Sequence, residues 1–113
     1  MSVMNLLEET EKDMRMEGLT PEQVAWVGEP GAWSCGWDEF AHQASGFSYD
    51  NGYGAEEVNV RLVIVFTDGS FLWRGTYDGA EWWEHVSTPH RPAGDTPRDL
   101  IRESARIERG MGA

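Results

Sequence analysis

Residues 58–87 read VNVRLVIVFTDGSFLWRGTYDGAEWWEHVS and carry the strongest secondary-structure signal in this chain. Side chains alternate between two faces from 58 to 66, which is the two-residue period of a β-strand. Asp-Gly pairs follow at 68–69 and 78–79, and this dipeptide favours a tight hairpin turn. The segment therefore predicts three antiparallel strands joined as a meander.

The register of the first hairpin can also be predicted from the pattern. A two-residue turn at the first Asp-Gly places apolar residues or Gly opposite one another on a single face. The predicted pairs are Phe66 with Phe71, Ile64 with Trp73, Leu62 with Gly75 and Val60 with Tyr77.

Three other segments have helical patterns, and together with the meander they predict an α+β fold. Helices are expected over residues 3–17, 37–44 and 97–109, with Leu100 and Ile107 among the residues that dock the last one. The predicted architecture is a three-stranded or slightly larger antiparallel meander sheet packed by N-terminal, middle and C-terminal helices. At 113 residues, positions 1–113 are expected to form a single α+β domain.

The chain is acidic, and its charge is unevenly distributed. Nine Lys and Arg stand against twenty Asp and Glu, a net charge of −11. Residues 1–57 contribute −10 of this, with twelve acids and two bases. Such a half should repel nucleic acid and anionic membranes and attract a basic protein surface, although charge that only maintains solubility explains the same composition.

Cysteine usage and hydropathy indicate a cytoplasmic protein. Cys35 is the single cysteine, so no intrachain disulfide can form, which fits a reducing compartment. The first residues lack the basic start and long apolar run of a signal peptide. The longest strongly apolar run, residues 62–66, is too short to cross a bilayer.

The pair Trp82-Trp83 is the first candidate for a partner-binding surface. Neighbouring side chains in a strand point to opposite faces, so one Trp must leave the core face. It is then either covered by a helix or part of an exposed aromatic patch, and the pattern leaves both readings open. Arg74 is expected opposite one of the two Trp. The candidate partner-binding residues are Trp82, Trp83, Arg74, Glu84, Tyr49, Asp50 and Tyr53.

No catalytic or metal-binding pattern is present in the sequence. Residues 49–57 are rich in Asp, Asn and Glu but lack the ligand spacing of a calcium loop, and turn formation explains them. His42, His85, His90 and Cys35 have no zinc-ligand spacing. P-loop, GxGxxG and GxSxG motifs are missing, and acidic residues interrupt the Arg residues near the C-terminus. We therefore expect a protein that is not an enzyme and uses no cofactor or metal.

Several motifs resemble those of a group of small, acidic, uncharacterised proteins of actinobacterial phages. The segment Tyr-Asp-Gly-x-Glu-Trp-Trp at residues 77–83 is the most specific of them. The others are Leu-Thr-Pro-Glu at 19–22, Trp-Val-Gly at 26–28, Trp-Asp-Glu-Phe at 37–40, Tyr-Asp at 49–50, Gly-Tyr-Gly at 52–54 and Glu-Val at 57–58. The resemblance implies a phage accessory protein in the bacterial cytoplasm and carries no activity or catalytic residues.

The leading functional hypothesis is a phage accessory protein that binds and modulates a host protein with a basic surface. Host takeover and inhibition of host defence are both included, and nucleic-acid mimicry is a sharper variant in which the acids of residues 8–57 form one surface. Direct binding of nucleic acid or membrane is not expected. One alternative is a small-ligand pocket lined by Trp and Tyr at the edge of the meander. Another is a minor virion or assembly protein, and a homodimer is compatible with each hypothesis.

Overall fold

The computed structural model describes residues 3–50, 56–89, 91–96, 100–108 and 110. Their fold is α+β, with seven strands in two sheets and three α-helices. The elements in chain order are β1 (Val3–Asn5), α1 (Leu6–Met16), β2 (Val24–Glu29), β3 (Trp33–Cys35), α2 (Trp37–Ser45), β4 (Ser48–Asp50), β5 (Val63–Phe66), β6 (Phe71–Tyr77), β7 (Ala80–Val86) and α3 (Glu103–Glu108).

The main sheet is fully antiparallel and has five strands in the order β3-β2-β5-β6-β7. The prediction of three or slightly more strands corresponds to β5, β6 and β7, and β2 and β3 extend the sheet beyond β5. A separate two-stranded sheet pairs β1 with β4. β5 is shorter than predicted, since residues 58–62 lie outside any strand.

The predicted register of the β5–β6 hairpin is wrong by one residue. The amide of Phe66 donates to the carbonyl oxygen of Ser70 at 2.9 Å, so three residues form the loop instead of two. Gly69 takes the left-handed conformation that such a loop requires, with φ +87°. Asp68 accepts hydrogen bonds from the Ser70 hydroxyl and amide, which lower the pKa of Asp68.

The second hairpin has the two-residue turn that Asp-Gly favours. Tyr77 pairs with Ala80, and both loop residues have positive φ, 50° at Asp78 and 86° at Gly79. Positive φ at both central positions is the signature of a type I′ turn. Arg74 is consequently placed directly opposite Trp83.

The N-terminal helix begins later than predicted. Residues 3–5 form β1 because they pair with β4, and Asn5 caps the helix by accepting a hydrogen bond from the amide of Glu8 at 3.1 Å. A helix that begins at residue 3, as the sequence predicts, would have Ser2 as its N-cap, but Ser2 lies outside the described residues.

Helices α1 and α2 pack on one face of the main sheet and form the core with it. The most deeply buried apolar side chains come from both layers: Met14, Val27, Ile64, Phe66 and Leu72. Of the apolar side chains expected to dock the C-terminal helix, Leu100 is 83% exposed and Ile107 is 72% exposed, whereas Ile101 and Ala105 are partly buried. Leu100 and Ile107 therefore contribute little buried apolar surface to the packing of this segment.

Candidate functional site

A buried charged network lies between α1 and the main sheet. Its centre is Arg74 on β6, whose side chain is 0% exposed. One terminal nitrogen of Arg74 lies 3.4 Å from the carboxylate of Glu9 on α1. The other terminal nitrogen lies 3.1 Å from the carboxylate of Glu81 on β7. Two acids therefore share one guanidinium in the core, where a charge needs partners to be tolerated.

Glu81 also holds the backbone of the segment that precedes β5. Its Oε2 accepts from the amide of Glu57 at 2.7 Å, and its Oε1 accepts from the amide of Val58 at 3.1 Å. Neither amide belongs to a strand or helix, so the carboxylate supplies the acceptors that secondary structure would otherwise provide. The network thus fixes the position of residues 57–58.

Aromatic side chains complete the network. The Tyr49 hydroxyl donates to Oε1 of Glu9 at 2.5 Å and accepts from Nη2 of Arg74 at 2.9 Å. The Arg74 guanidinium lies 4.7 Å from the centre of the Trp83 ring, within the range of a cation–π contact. The Trp83 indole N–H donates to the Thr10 hydroxyl at 2.9 Å.

Burial and neighbouring charges together shift the pKa values of these groups. It raises the pKa of Glu9, more than the Tyr49 hydrogen bond and the Arg74 charge lower it. Burial and the hydrogen bond to Glu9 likewise raise the pKa of Tyr49, so this hydroxyl remains a donor. For Arg74, burial opposes the charged form, but the Tyr49 hydrogen bond and the Glu9 carboxylate outweigh it and raise the pKa. With its groups closed to solvent, the network is suited to organising the core.

The second face of the main sheet is apolar and carries no described helix. Helix α1 lies on the other face of the sheet, where Glu9 forms a hydrogen bond with Arg74 and Thr10 forms one with Trp83. Two cross-strand rows form this second face: Trp26–Val65–Phe71–Val86 and Gly28–Val63–Trp73–Glu84. We call it the open face, consisting of both rows and Trp82.

Within the open face, Trp82 lies across the glycine of the neighbouring strand. Gly75 is its cross-strand partner, and a Cβ atom at Gly75 would stand 2.6 Å from the indole nitrogen of Trp82. The indole N–H donates to Oε1 of Glu84 at 3.0 Å. Trp73 is 43% exposed on the same face. The glycine therefore lets one large aromatic ring lie flat while another remains accessible.

The seven predicted partner-binding residues do not form one surface. Trp83, Arg74 and Tyr49 belong to the buried network, whereas Trp82 and Glu84 are on the open face. Asp50 ends β4, and its amide donates to Oε2 of Glu57 at 3.0 Å. Tyr53 lies outside the described residues. Because neighbouring side chains of a strand point to opposite faces, the sequence correctly predicts that Trp82 and Trp83 lie on different faces of the sheet. It does not indicate which of the two faces is covered.

At least one of the acidic residues in the range 8–57 does not lie on the acidic surface predicted for them. Glu9 is buried in the network and is therefore unavailable to imitate a phosphate at the surface.

A pocket of about 320 Å³ opens between β3, α2 and residues 57–62. Phe40, Ala44 and Leu62 are buried beneath it, and Trp33 and Phe47 are exposed aromatic residues at its walls. It lies at the β3 edge of the main sheet, whereas a Trp- and Tyr-lined pocket was expected at the edge of the meander. Sequence reasoning missed it because its walls come from four separate segments, and neither Trp33 nor Phe47 stands in a strong periodic pattern.

The histidines and the cysteine are dispersed. His42 is exposed on α2, and His85 on β7 lies 3.4 Å from Glu17. Among the described residues there is no group of three or more His, Cys, Asp or Glu that could hold a metal ion. Burial, together with the charge of Glu39, raises the pKa of the Cys35 thiol, so it is not activated as a nucleophile. No helix within the described ranges is long and apolar enough to cross a membrane.

The geometry offers three distinct features: a closed network that organises the core, an open apolar face and a small pocket. Comparisons with protein-family models, with curated proteins and with solved structures found no match to this chain.

Proposed function

We propose that this protein is a non-catalytic binding module that holds a partner protein on the open face of its main sheet. The observation that carries the proposal is the pair of cross-strand rows, which places Trp, Phe and Val side chains together on the sheet face that carries no described helix. Contiguous apolar patches of this kind mark interaction sites in folded proteins.

The composition of the open face suits protein recognition. Aromatic residues are enriched at the centres of protein interfaces, and Trp is the residue most often responsible for a large share of the binding energy. Trp73 is accessible, and the ring of Trp82 is oriented by Gly75 and Glu84. At Trp82 a partner therefore meets a ring that needs little ordering, which reduces the entropic cost of association.

The charge of the chain defines the partner's chemistry. Glu84 is the one charged residue in the two rows, and the protein as a whole carries −11. A complementary surface would combine an apolar patch with flanking Lys or Arg, and its association would slow as salt increases. The resemblance to phage proteins supports placing this partner among the proteins of an actinobacterial host. In that setting the module would act as an accessory protein that modulates a host protein.

The experiment begins with capture from a nuclease-treated actinobacterial lysate. The bait is the full-length protein, alongside the double variant Trp73→Ser, Val86→Ser. A matched control is Met16→Ser, which removes an exposed apolar side chain from the end of α1, away from the open face. Circular dichroism checks that each variant is folded.

A captured protein supports the proposal only if it binds the open face directly. The purified partner should bind wild type and Met16→Ser equally and the double variant at least tenfold more weakly, because two apolar contacts are lost. Hydroxyl-radical footprinting should show Trp73 and Trp82 protected in the complex. Equal binding by the double variant, protection confined to the helical side, or no captured protein at all would reject the proposal.

A further inference from the structure

The pocket between β3, α2 and residues 57–62 is a separate feature from the open face. Trp33 pairs with Glu29 and Cys35 pairs with Val27, so both pocket-lining side chains of β3 point to the helical side of the sheet. Its volume of about 320 Å³ falls at the lower end of the size range of small-molecule sites. A ligand held here would leave the open face available to a partner.

The walls of the pocket are apolar and aromatic. Phe40 and Leu62 are nearly closed to solvent beneath the pocket, while Trp33 remains 49% exposed beside it. An aromatic ring of this size is normally buried in a core or used at a binding site. Its exposure at a cavity provides a ring face that an organic ligand could cover.

The charged side chains of the pocket are all acidic. Glu39 from α2 and Glu57 from the opposite wall line it, and the described lining residues include no Lys or Arg. Oε1 of Glu39 accepts from the side chain of Gln43, and Oε2 of Glu57 accepts from the amide of Asp50. Neither carboxylate forms an ion pair with a described basic residue. The pocket therefore favours positive charge and disfavours an anion.

The wall that carries Glu57 is held in place before any ligand arrives. The Glu81 carboxylate binds the amides of both Glu57 and Val58, and Arg74 holds Glu81 in turn. A site supported in this way needs little reorganisation on binding.

We propose that this pocket binds a small organic cation whose apolar body packs against Trp33 and Phe40 and whose ammonium group is attracted by Glu39 and Glu57. Aromatic rings and carboxylates together are the chemistry that recognises such cations, since the ring face and the carboxylate both carry negative potential. A neutral molecule of the same shape would gain the apolar contact alone, and an anion would be repelled.

The test uses the full-length protein and three probes that share a phenyl group and a short chain: 2-phenylethylammonium, 2-phenylethanol and 3-phenylpropionate. Calorimetry measures affinity, and the NMR signal of the Trp33 indole reports occupancy of the pocket. The ammonium should bind at least tenfold more tightly than the alcohol, and 3-phenylpropionate should not bind. Equal affinity of the three probes, or the absence of any shift at Trp33, would overturn the proposal.

Matched variants distinguish the pocket from the general acidity of the protein. Glu57→Gln keeps an oxygen for the Asp50 amide but removes the charge, so it should weaken ammonium binding several-fold and leave alcohol binding unchanged. Glu56→Gln removes the same charge one residue away, outside the pocket lining, and should have little effect. Trp33→Ala should weaken the binding of both 2-phenylethylammonium and 2-phenylethanol. Equal losses of ammonium affinity in Glu56→Gln and Glu57→Gln would show that the overall negative charge of the protein attracts the probe, and would reject the site.

Discussion

Arg74 is the residue on which the core depends most clearly. Buried arginines are tolerated only with partners that replace lost water, and here Glu9, Glu81 and Tyr49 provide them. The position could not be recognised as buried from the sequence, because Arg is one of the residue types most rarely found in a core. Its neighbour across the strands, Trp83, supplies a ring face that favours the guanidinium.

Replacing Arg74 with Met should strongly destabilise the protein. The substitution leaves Glu9 and Glu81 without their cation in a closed environment, and breaking a buried pair in this way costs about 3–5 kcal/mol. Urea unfolding followed by Trp fluorescence measures the change in the free energy of unfolding. Thr76→Met, which places the same side chain at an exposed position on the same strand, is the control. If Arg74→Met lowers the free energy of unfolding no more than Thr76→Met does, the network contributes little to stability.

At the scale of elements, the β5–β6 hairpin shows how one loop residue determines both faces of a sheet. The observed three-residue loop pairs Val63 with Trp73, whereas a two-residue loop pairs Ile64 with Trp73. Because side chains alternate along a strand, this one-residue difference moves Trp73 from the core face to the open face. The Asp-Gly dipeptide predicts a turn but does not select its length, since both loops accept a Gly with positive φ.

Strand β3 is held by a close backbone contact at Gly28. A Cβ atom at this position would lie 2.2 Å from the carbonyl oxygen of Trp33 and 2.8 Å from Cα of Ser34. Backbone atoms cannot move aside as a flexible side chain can, so β3 would have to separate from β2. The consequence extends to the pocket, because β3 carries Trp33.

Gly28→Ala should therefore release β3 and destabilise the protein by about 1–3 kcal/mol, the usual cost of overpacking. Hydrogen exchange of the β2 and β3 amides measures the pairing, and urea unfolding measures the stability. Gly94→Ala is the matched control, since a Cβ atom there meets no atom within 4 Å. Protected β3 amides together with wild-type stability in Gly28→Ala would contradict the expected clash.

At the scale of the whole molecule, the C-terminal segment differs from the rest of the chain. Residues 90–113 carry five Arg and four acids, a net charge of +1, against −12 for the first 89 residues. Its described apolar side chains at Leu100 and Ile107 are exposed. Ile101 and Ala105 are partly buried, but the buried core cluster consists entirely of residues before position 90.

A chain ending at Pro89 should fold with nearly the same stability as the full-length protein. The truncation removes no residue of the buried core cluster, so it should change the free energy of unfolding by less than about 1 kcal/mol. Urea unfolding of both chains makes the comparison, with circular dichroism confirming the strand content. A larger loss would mean that the C-terminal helix contacts the core in solution.

The α+β class, the presence of two Asp-Gly hairpins and the presence of α2 could be predicted from the sequence, because these follow from local periodicity and turn chemistry. The sequence also placed Arg74 opposite one of the two Trp, and the structure shows that this residue is Trp83. The tertiary structure alone decided which Trp is buried, why Arg74 lies in the core and where the pocket forms. Those outcomes depend on the length of one loop and on contacts between residues far apart in the chain, such as Glu9 with Arg74. Local patterns carry no information about such contacts, because they arise only when separate elements pack together.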